Sequence, residues 1–278
     1  MIAIYRGEQG YIFDVDGEQF EASEFSLDGL FRADEPEVWL RERVAAMSKV
    51  QEAQDLQDQA WLPPVESQEI WAAGVTYYRS REARMEEAEV AGGDIFYDKV
   101  YDADRPELFM KATAARARGH KAQIRVRADS TWDVPEPELT LAINANGQIF
   151  GYTIGDDVSS RSIEGENPLY LPQAKVYRGS CAVGPALVVG RDAVNPDSTI
   201  KLTIERGGEP GFEGETQVSQ IKRGLDELAQ FLFRENEFPD GALLMTGTGI
   251  VPDEFTLKSG DVVRIAISGL GVLENEVE

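Results

Sequence analysis

Pro135-Glu136-Pro137-Glu138-Leu139-Thr140-Leu141-Ala142-Ile143-Asn144-Ala145-Asn146-Gly147-Gln148-Ile149-Phe150-Gly151-Tyr152-Thr153-Ile154-Gly155-Asp156-Asp157 is the stretch on which the fold reading turns. Two apolar runs flank an Asn-Gly pair, a strong hairpin signal because both central positions of a type I′ turn need positive φ. A two-residue loop at Asn146 and Gly147 gives opposed residues numbers adding to 293, so Glu136 faces Asp157 and Glu138 faces Gly155. Side chains alternate faces along a strand, which puts Glu136, Glu138 and Asp157 on one face, at the end far from the turn. Leu139, Leu141 and Ile143, opposite Ile154, Tyr152 and Phe150, make a core face. On the carboxylate face, Thr140 with Thr153 and Ala142 with Gly151 are small and leave room for a ligand.

Three converging carboxylates raise one another's pKa, and a divalent cation resolves the conflict. Oxygen-only donors select a hard ion, Mg²⁺ first, then Mn²⁺ or Ca²⁺, over zinc. The plainer reading of Glu136 and Glu138 is a solvated sheet edge guarded by Pro135 and Pro137.

The 278 residues suffice for one large domain, or one large and one small. No apolar run reaches membrane-spanning length, and Met1-Ile2-Ala3-Ile4-Tyr5-Arg6 lacks a secretory pattern. With Cys181 the single cysteine, no internal disulfide forms and a cytoplasmic location is expected; its apolar surroundings suit an inert buried thiol. A net charge of −23 argues against nucleic acid or an anionic membrane as partner. Lysine supplies only 8 of the 27 basic residues. Such an acidic, lysine-poor surface suits a halophilic source, since self-repulsion of this size is tolerable only when screened.

Along the chain, Ile2–Tyr5, Tyr11–Val15 and Gln19–Glu21 read as strands, the last two joined by an Asp16-Gly17 turn. A helix is expected from Pro36, capped by Asp34, with Val38, Leu40, Val44 and Met47 on its buried stripe. Leu62-Pro63-Pro64 marks a boundary, giving residues 1–65 as a small α+β domain and 66–278 as the catalytic domain. Ile70–Val75 reads as a buried strand. Ser80 caps a charged helical segment, Arg81–Val90, with Ala91-Gly92-Gly93-Asp94 as a hinge; the segment suits a lid or an ordinary solvated helix. Glu107, in an apolar setting, is a candidate for a raised pKa, with an ordinary surface glutamate as the alternative. His120, the single histidine, has no visible partner and reads as non-catalytic, which excludes a Ser-His-Asp triad and a multi-histidine zinc site. Lys175 stands between apolar neighbours and reads either as a partly buried ammonium near the carboxylates or as a surface lysine. Val183–Val189 and Ile200–Glu205 are strand-like, Ile221–Phe233 is an amphipathic helix, Lys258-Ser259-Gly260-Asp261 is a turn and Val262–Ile267 a strand. Gly247 and Gly249 offer backbone amides to an anion, without a P-loop signature.

From roughly residue 62 onward these stretches together resemble the fumarylacetoacetate hydrolase superfamily. Its Glu-x-Glu-Leu metal motif is matched by Glu136, Glu138 and Leu139, and the motif that follows by Gly151-Tyr152-Thr153 and Asp157-Val158-Ser159-Ser160-Arg161. Its lysine motif is matched by Lys175 ahead of Gly184-Pro185, and its closing motifs by Gly247-Thr248 and Gly260-Asp261. The resemblance implies an α+β, β-rich fold, a mixed β-sheet roll, with a divalent ion on Glu136, Glu138 and Asp157 and a homodimer or homotetramer. Hydrolytic members usually read Gly-x-Asn-Tyr-x-x-His where this chain has Gly74-Val75-Thr76-Tyr77-Tyr78-Arg79-Ser80, so serine replaces the usual base. Thr76-Tyr77, Ser80-Arg81-Glu82-Ala83-Arg84 and Pro106-Glu107-Leu108-Phe109-Met110-Lys111 resemble the 2-keto-3-deoxy-pentonate dehydratase branch. That resemblance implies a small 2-oxo sugar acid as substrate, Lys175 and Glu107 as proton-transfer groups, Ser80 and Thr248 as substrate-binding groups, and Arg161 as a prop for the metal carboxylates. The alternative is an acylpyruvate hydrolase or oxaloacetate decarboxylase of the same superfamily.

Overall fold

In the computed structural model of the chain, residues 1–79 and 99–278 are described. The expected lid helix, its hinge and Ser80 lie outside the described residues.

A ten-stranded sheet organises the molecule. From one edge to the other its strands are Ser48–Lys49, Glu18–Ala22, Gly10–Val15, Ile2–Gly7, Cys181–Val189, Ile149–Asp157, Pro137–Ile143, Ala242–Met245, Glu69–Gly74 and Glu107–Thr113. Ala242–Met245 runs parallel to Glu69–Gly74 and antiparallel to Pro137–Ile143, so the sheet is mixed. A four-stranded sheet, ordered Glu209–Gln217, Thr199–Arg206, Asp261–Ile267 and Gly271–Glu276, contributes Ile200, Leu202, Ile204, Val263 and Ile265 to the core that covers Leu139, Leu141, Ile143, Tyr152 and Ile154. The opposite face packs against the helices Leu27–Arg32 and Pro36–Val44 through Leu27, Leu30, Phe31, Leu40 and Val44. Both central strands are therefore buried along their whole length, which accounts for their near-continuous apolar runs.

The expected register holds where the carboxylates are and changes at the turn. From Pro137 opposite Asp156 to Ala142 opposite Gly151, paired numbers add to 293. The turn is a three-residue loop: the Asn144 N–H donates to the Gln148 carbonyl at 2.9 Å and the Gly147 N–H to the Asn144 carbonyl at 2.9 Å. Gly147 alone takes positive φ, +77°, with Asn146 outside that region, so the turn is not type I′. The cause is local: Asn144 Oδ1 accepts from the N–H groups of Asn146 (3.1 Å) and Gln148 (2.9 Å), a side-chain turn that a two-residue loop has no place for. Ile143 consequently pairs with Ile149, and a bulge at Phe150 restores the register. Phe150 does not face Ile143 as expected; it lies in the other core layer, edge-on to Phe31 at 4.9 Å. Nor do the small residues leave a void. Ala142 lies in the second core, and a Cβ on Gly155 would come within 2.4 Å of Thr140 Oγ1.

Strands Ile2–Gly7, Gly10–Val15 and Glu18–Ala22 match expectation, with Asp16 (φ 51°) and Gly17 (φ 91°) forming the two-residue turn. Ile2–Gly7 pairs with Cys181–Val189, and Ile2, Ile4 and Phe13 share a core with Leu187 and Leu243, so the first residues extend the central sheet. Asp34 does not cap the next helix. Glu35 holds that position without a side-chain bond, while Asp34 accepts from Asn146 Nδ2 at 2.9 Å and braces the hairpin turn. Val38 faces solvent, 50% exposed, rather than the core. The helix expected from Ile221 begins at Leu225, because Gly224 takes extended backbone as its N-cap.

Candidate active site

Glu136 precedes the strand Pro137–Ile143, Glu138 is its second residue, and Asp157 ends the partner strand. The Asp157 N–H donates to the Glu136 carbonyl at 3.0 Å, closing the ladder between two of the three acids. All three side chains are buried, and one carboxylate oxygen from each lies within 4.8 Å of the others. The solvated-edge reading is thereby excluded.

Among the described residues, Arg161, Lys175 and Lys111 compensate them. Ser160 caps the helix Arg161–Glu166 by accepting from the Ile163 N–H, which sets Arg161 at its first position. From there Arg161 Nη2 donates to Glu136 Oε1 at 2.6 Å. Lys175 closes the short helix Leu171–Lys175, and its Nζ donates to Glu136 Oε2 (2.7 Å), Asp157 Oδ2 (3.0 Å) and Ser159 Oγ (2.6 Å). Lys111, fully buried on strand Glu107–Thr113, forms an ion pair with Asp157 Oδ1. Glu138 takes a different partner: the Gly247 N–H donates to its Oε2 at 2.6 Å. The amide expected to cradle an anion thus holds a carboxylate of the protein itself. Gly247 sits at φ +90°, and a Cβ there would lie 2.0 Å from Thr76 Oγ1, so the close approach requires glycine. Burial, then Asp157 and Glu136, push the Glu138 carboxyl well above the usual range.

The carboxylates, Arg161 and Lys175 line one cavity with Gly74, Val75, Phe109, Gly247 and Thr248. Lys175 Nζ stands 5.7 Å from the centre of the Phe109 ring. Glu107 pairs with Gly74, and a Cβ on that glycine would meet Glu107 Oε2 at 1.9 Å, so the glutamate lies across a residue of the cavity wall. The Thr248 hydroxyl is engaged in its own turn, donating to the Ile250 carbonyl at 3.1 Å and accepting from the Ile250 N–H at 3.2 Å. Ser80 lies outside the described residues.

Other titratable groups stand apart. His120 Nδ1 accepts from the Glu274 N–H at 3.0 Å, which leaves Nε2–H to donate to the Gln57 carbonyl at 3.1 Å; burial lowers its pKa, and the neutral ring is a structural tie. Burial pushes the Cys181 thiol up to about 12, as befits an inert core residue. Asp156, next to Asp157 but on the other face, receives the Glu136 N–H at 3.1 Å, and its Oδ2 has no hydrogen-bond partner among the described residues. Burial raises its carboxyl to about 8. The sequence assigns no role to Asp156, Ser159 or Lys111, and it marks the Gly247 amide as an anion donor without naming Glu138 as the anion. Of the first three, only Lys111 carried a signal: a lysine within an apolar strand, the same signal that drew attention to Lys175.

A mixed sheet whose central hairpin ends in three buried acids belongs to a known family: this chain is a member of the fumarylacetoacetate hydrolase family, whose profile, described as fumarylacetoacetate (FAA) hydrolase C-terminal, matches residues 70–278. Two relatives of about half identity are named as dehydratases. The chain is 51% identical over 216 residues, 77% of this chain and 73% of the relative, to a probable 2-keto-3-deoxyxylonate dehydratase of Haloferax volcanii. It is 48% identical over 219 residues, with the same coverage, to the 2-dehydro-3-deoxy-D-arabinonate dehydratase of Saccharolobus solfataricus. A solved 2-keto-3-deoxy-D-arabinonate dehydratase complexed with magnesium and 2,5-dioxopentanoate superposes with a TM-score of 0.83 at 37% identity, covering 100% of this chain and 98% of that one.

Proposed function

We propose that this protein is a magnesium-dependent hydro-lyase that removes water from a 2-keto-3-deoxy-pentonate, of the arabinonate or xylonate type, to give 2,5-dioxopentanoate. The observation that carries the reading is the buried convergence of Glu136, Glu138 and Asp157 around Lys175, in a chain similar to two such dehydratases.

The residues present fit a hard divalent ion. Their donors are all carboxylate oxygens, and Glu138, driven above its usual range by burial and two neighbouring acids, gains from a nearby cation. A magnesium ion held by Glu136, Glu138 and Asp157 supplies charge compensation and Lewis-acid polarisation of a 2-oxo acid. Arg161 keeps Glu136 oriented toward that position.

Lys175 and Glu107 share the proton transfers: one removes a proton from C3, and the other protonates the hydroxyl leaving C4. The new C3–C4 double bond then shifts as a C5 proton is lost and C3 is protonated. This leaves an enol at C4–C5 that becomes the aldehyde. One water departs and no external oxidant is consumed. Ser80 and Thr248 hold the carboxylate and hydroxyls of the substrate. A homodimer or homotetramer, a cytoplasmic location and a high-salt setting belong to the same proposal, the last supported by the net charge of −23.

The test is incubation of the purified protein and Mg²⁺ with 2-keto-3-deoxy-xylonate and 2-keto-3-deoxy-arabinonate, beside acetylpyruvate and oxaloacetate. The dehydratase yields a trappable semialdehyde from the sugar acids alone. Pyruvate and acetate from acetylpyruvate, or carbon dioxide from oxaloacetate, with no semialdehyde, would establish the hydrolase or decarboxylase instead.

A further inference from the structure

We infer that Lys111 is a positioning residue that holds Asp157 as a metal ligand and fixes the main chain carrying Lys175; the inference rests on the reading of Glu136, Glu138 and Asp157 as a divalent-ion site. An ammonium has three N–H donors and no acceptor. Lys111 Nζ donates to the Val158 carbonyl at 3.1 Å and the Lys175 carbonyl at 2.5 Å, and its charge pairs with Asp157 Oδ1. The side chain is 0% exposed, and it is not among the residues that line the cavity. Buried outside the cavity lining, which Lys175 shares, Lys111 does not reach substrate and acts through its partners.

Those partners belong to three segments. Asp157 ends the strand Ile149–Asp157, Val158 begins the connection to Ser159–Ser160, and Lys175 ends its helix, where carbonyls lack intrahelical partners. Lys111 itself comes from the edge strand Glu107–Thr113, which also carries Glu107 and Phe109. One ammonium therefore ties the strand bearing Glu107 to the carboxylate of Asp157 and to the backbone of Lys175. Asp157 is divided between the two lysines, Oδ1 to Lys111 and Oδ2 to Lys175, which fixes its plane.

The test separates positioning from simple electrostatics because the two predict opposite signs. Removing a positive charge beside a ligand carboxylate strengthens cation binding by Coulomb's law, whereas losing the group that orients the carboxylate weakens it. The EDTA-stripped full chain is titrated with Mn²⁺, followed calorimetrically and by the Mn²⁺ electron paramagnetic resonance signal, for wild type, Lys111→Met and Lys111→Gln. Positioning predicts a loss of Mn²⁺ affinity of about 10- to 100-fold in both variants. The rise in melting temperature on adding Mn²⁺ shrinks in parallel, a change that a merely structural lysine would not produce. Lys111→Gln retains donors for the two carbonyls, so it decides the matter if circular dichroism finds Lys111→Met unfolded. A folded variant that binds Mn²⁺ as tightly as wild type, or more tightly, overturns the role of Lys111. Wild type that fails to bind Mn²⁺ overturns the metal reading itself.

Discussion

The two ends of the central hairpin solve opposite problems. At the turn, backbone N–H groups are satisfied locally, since Asn144 Oδ1 accepts from Asn146 and Gln148, and the Asn146 side chain only braces the loop by donating to Asp34. At the other end, three buried acids are satisfied from afar, by Lys111, Arg161, Lys175 and the Gly247 amide, each from a different segment. The turn absorbs an error of one residue by a bulge at Phe150. The acid end tolerates none, because a one-residue slip sends every side chain to the other face. Asp156 and Asp157 show the contrast within one strand, since Asp157 receives two ammonium groups while Asp156, facing the other way, receives one backbone N–H.

The largest effect is expected of Glu138→Gln. It should lower Mg²⁺-dependent turnover of the 2-keto-3-deoxy-pentonate by at least about 100-fold while leaving the fold intact, since an outer partner alone is worth 10- to 100-fold. Full turnover by the variant, or by wild type in EDTA, would detach the acids from the chemistry.

A smaller effect lies in the pH dependence of the metal-free protein. Glu138 and Asp156 both hold protons to higher pH when folded than when unfolded, Asp156 up to about 8. Between the ordinary carboxylate range and that value the folded state binds more protons, so stability is greatest in acid and falls as pH rises through the window. The slope is at most about 1.4 kcal/mol per pH unit for each group. Urea denaturation at about pH 5 and about pH 8 measures it. Mg²⁺ should remove the part due to Glu138, and Asp156→Asn the part due to Asp156. A metal-free protein equally stable at both values contradicts the assignment.

The smallest effect is expected at the turn. Gly147 sits at φ +77° with the Phe233 ring 3.3 Å from where a Cβ would be. Gly147→Ala should cost about 1–2 kcal/mol of stability and leave Mn²⁺ affinity unchanged. A variant that altered metal binding would show that the two ends are coupled.

What the sequence determined by itself is the hairpin, the shared face of Glu136, Glu138 and Asp157, and the acidic charge of the whole chain. Strand periodicity and residue charge are local properties and can be read one segment at a time. The tertiary structure decided what lies opposite those acids. The Gly247 amide reaches Glu138 because Ala242–Met245 pairs with Pro137–Ile143, and Lys111 reaches Asp157 from the sheet's far edge strand. It also decided that Phe150 leaves its expected face, because Asn144 prefers its own side-chain turn to the loop that Asn146-Gly147 suggests. Burial has the same origin. An aspartate reads alike at 156 and 157, and only the packing on each face of the strand gives one two ammonium partners and raises the other to about 8. Desolvation depends on every neighbouring segment at once, which no single stretch of sequence contains.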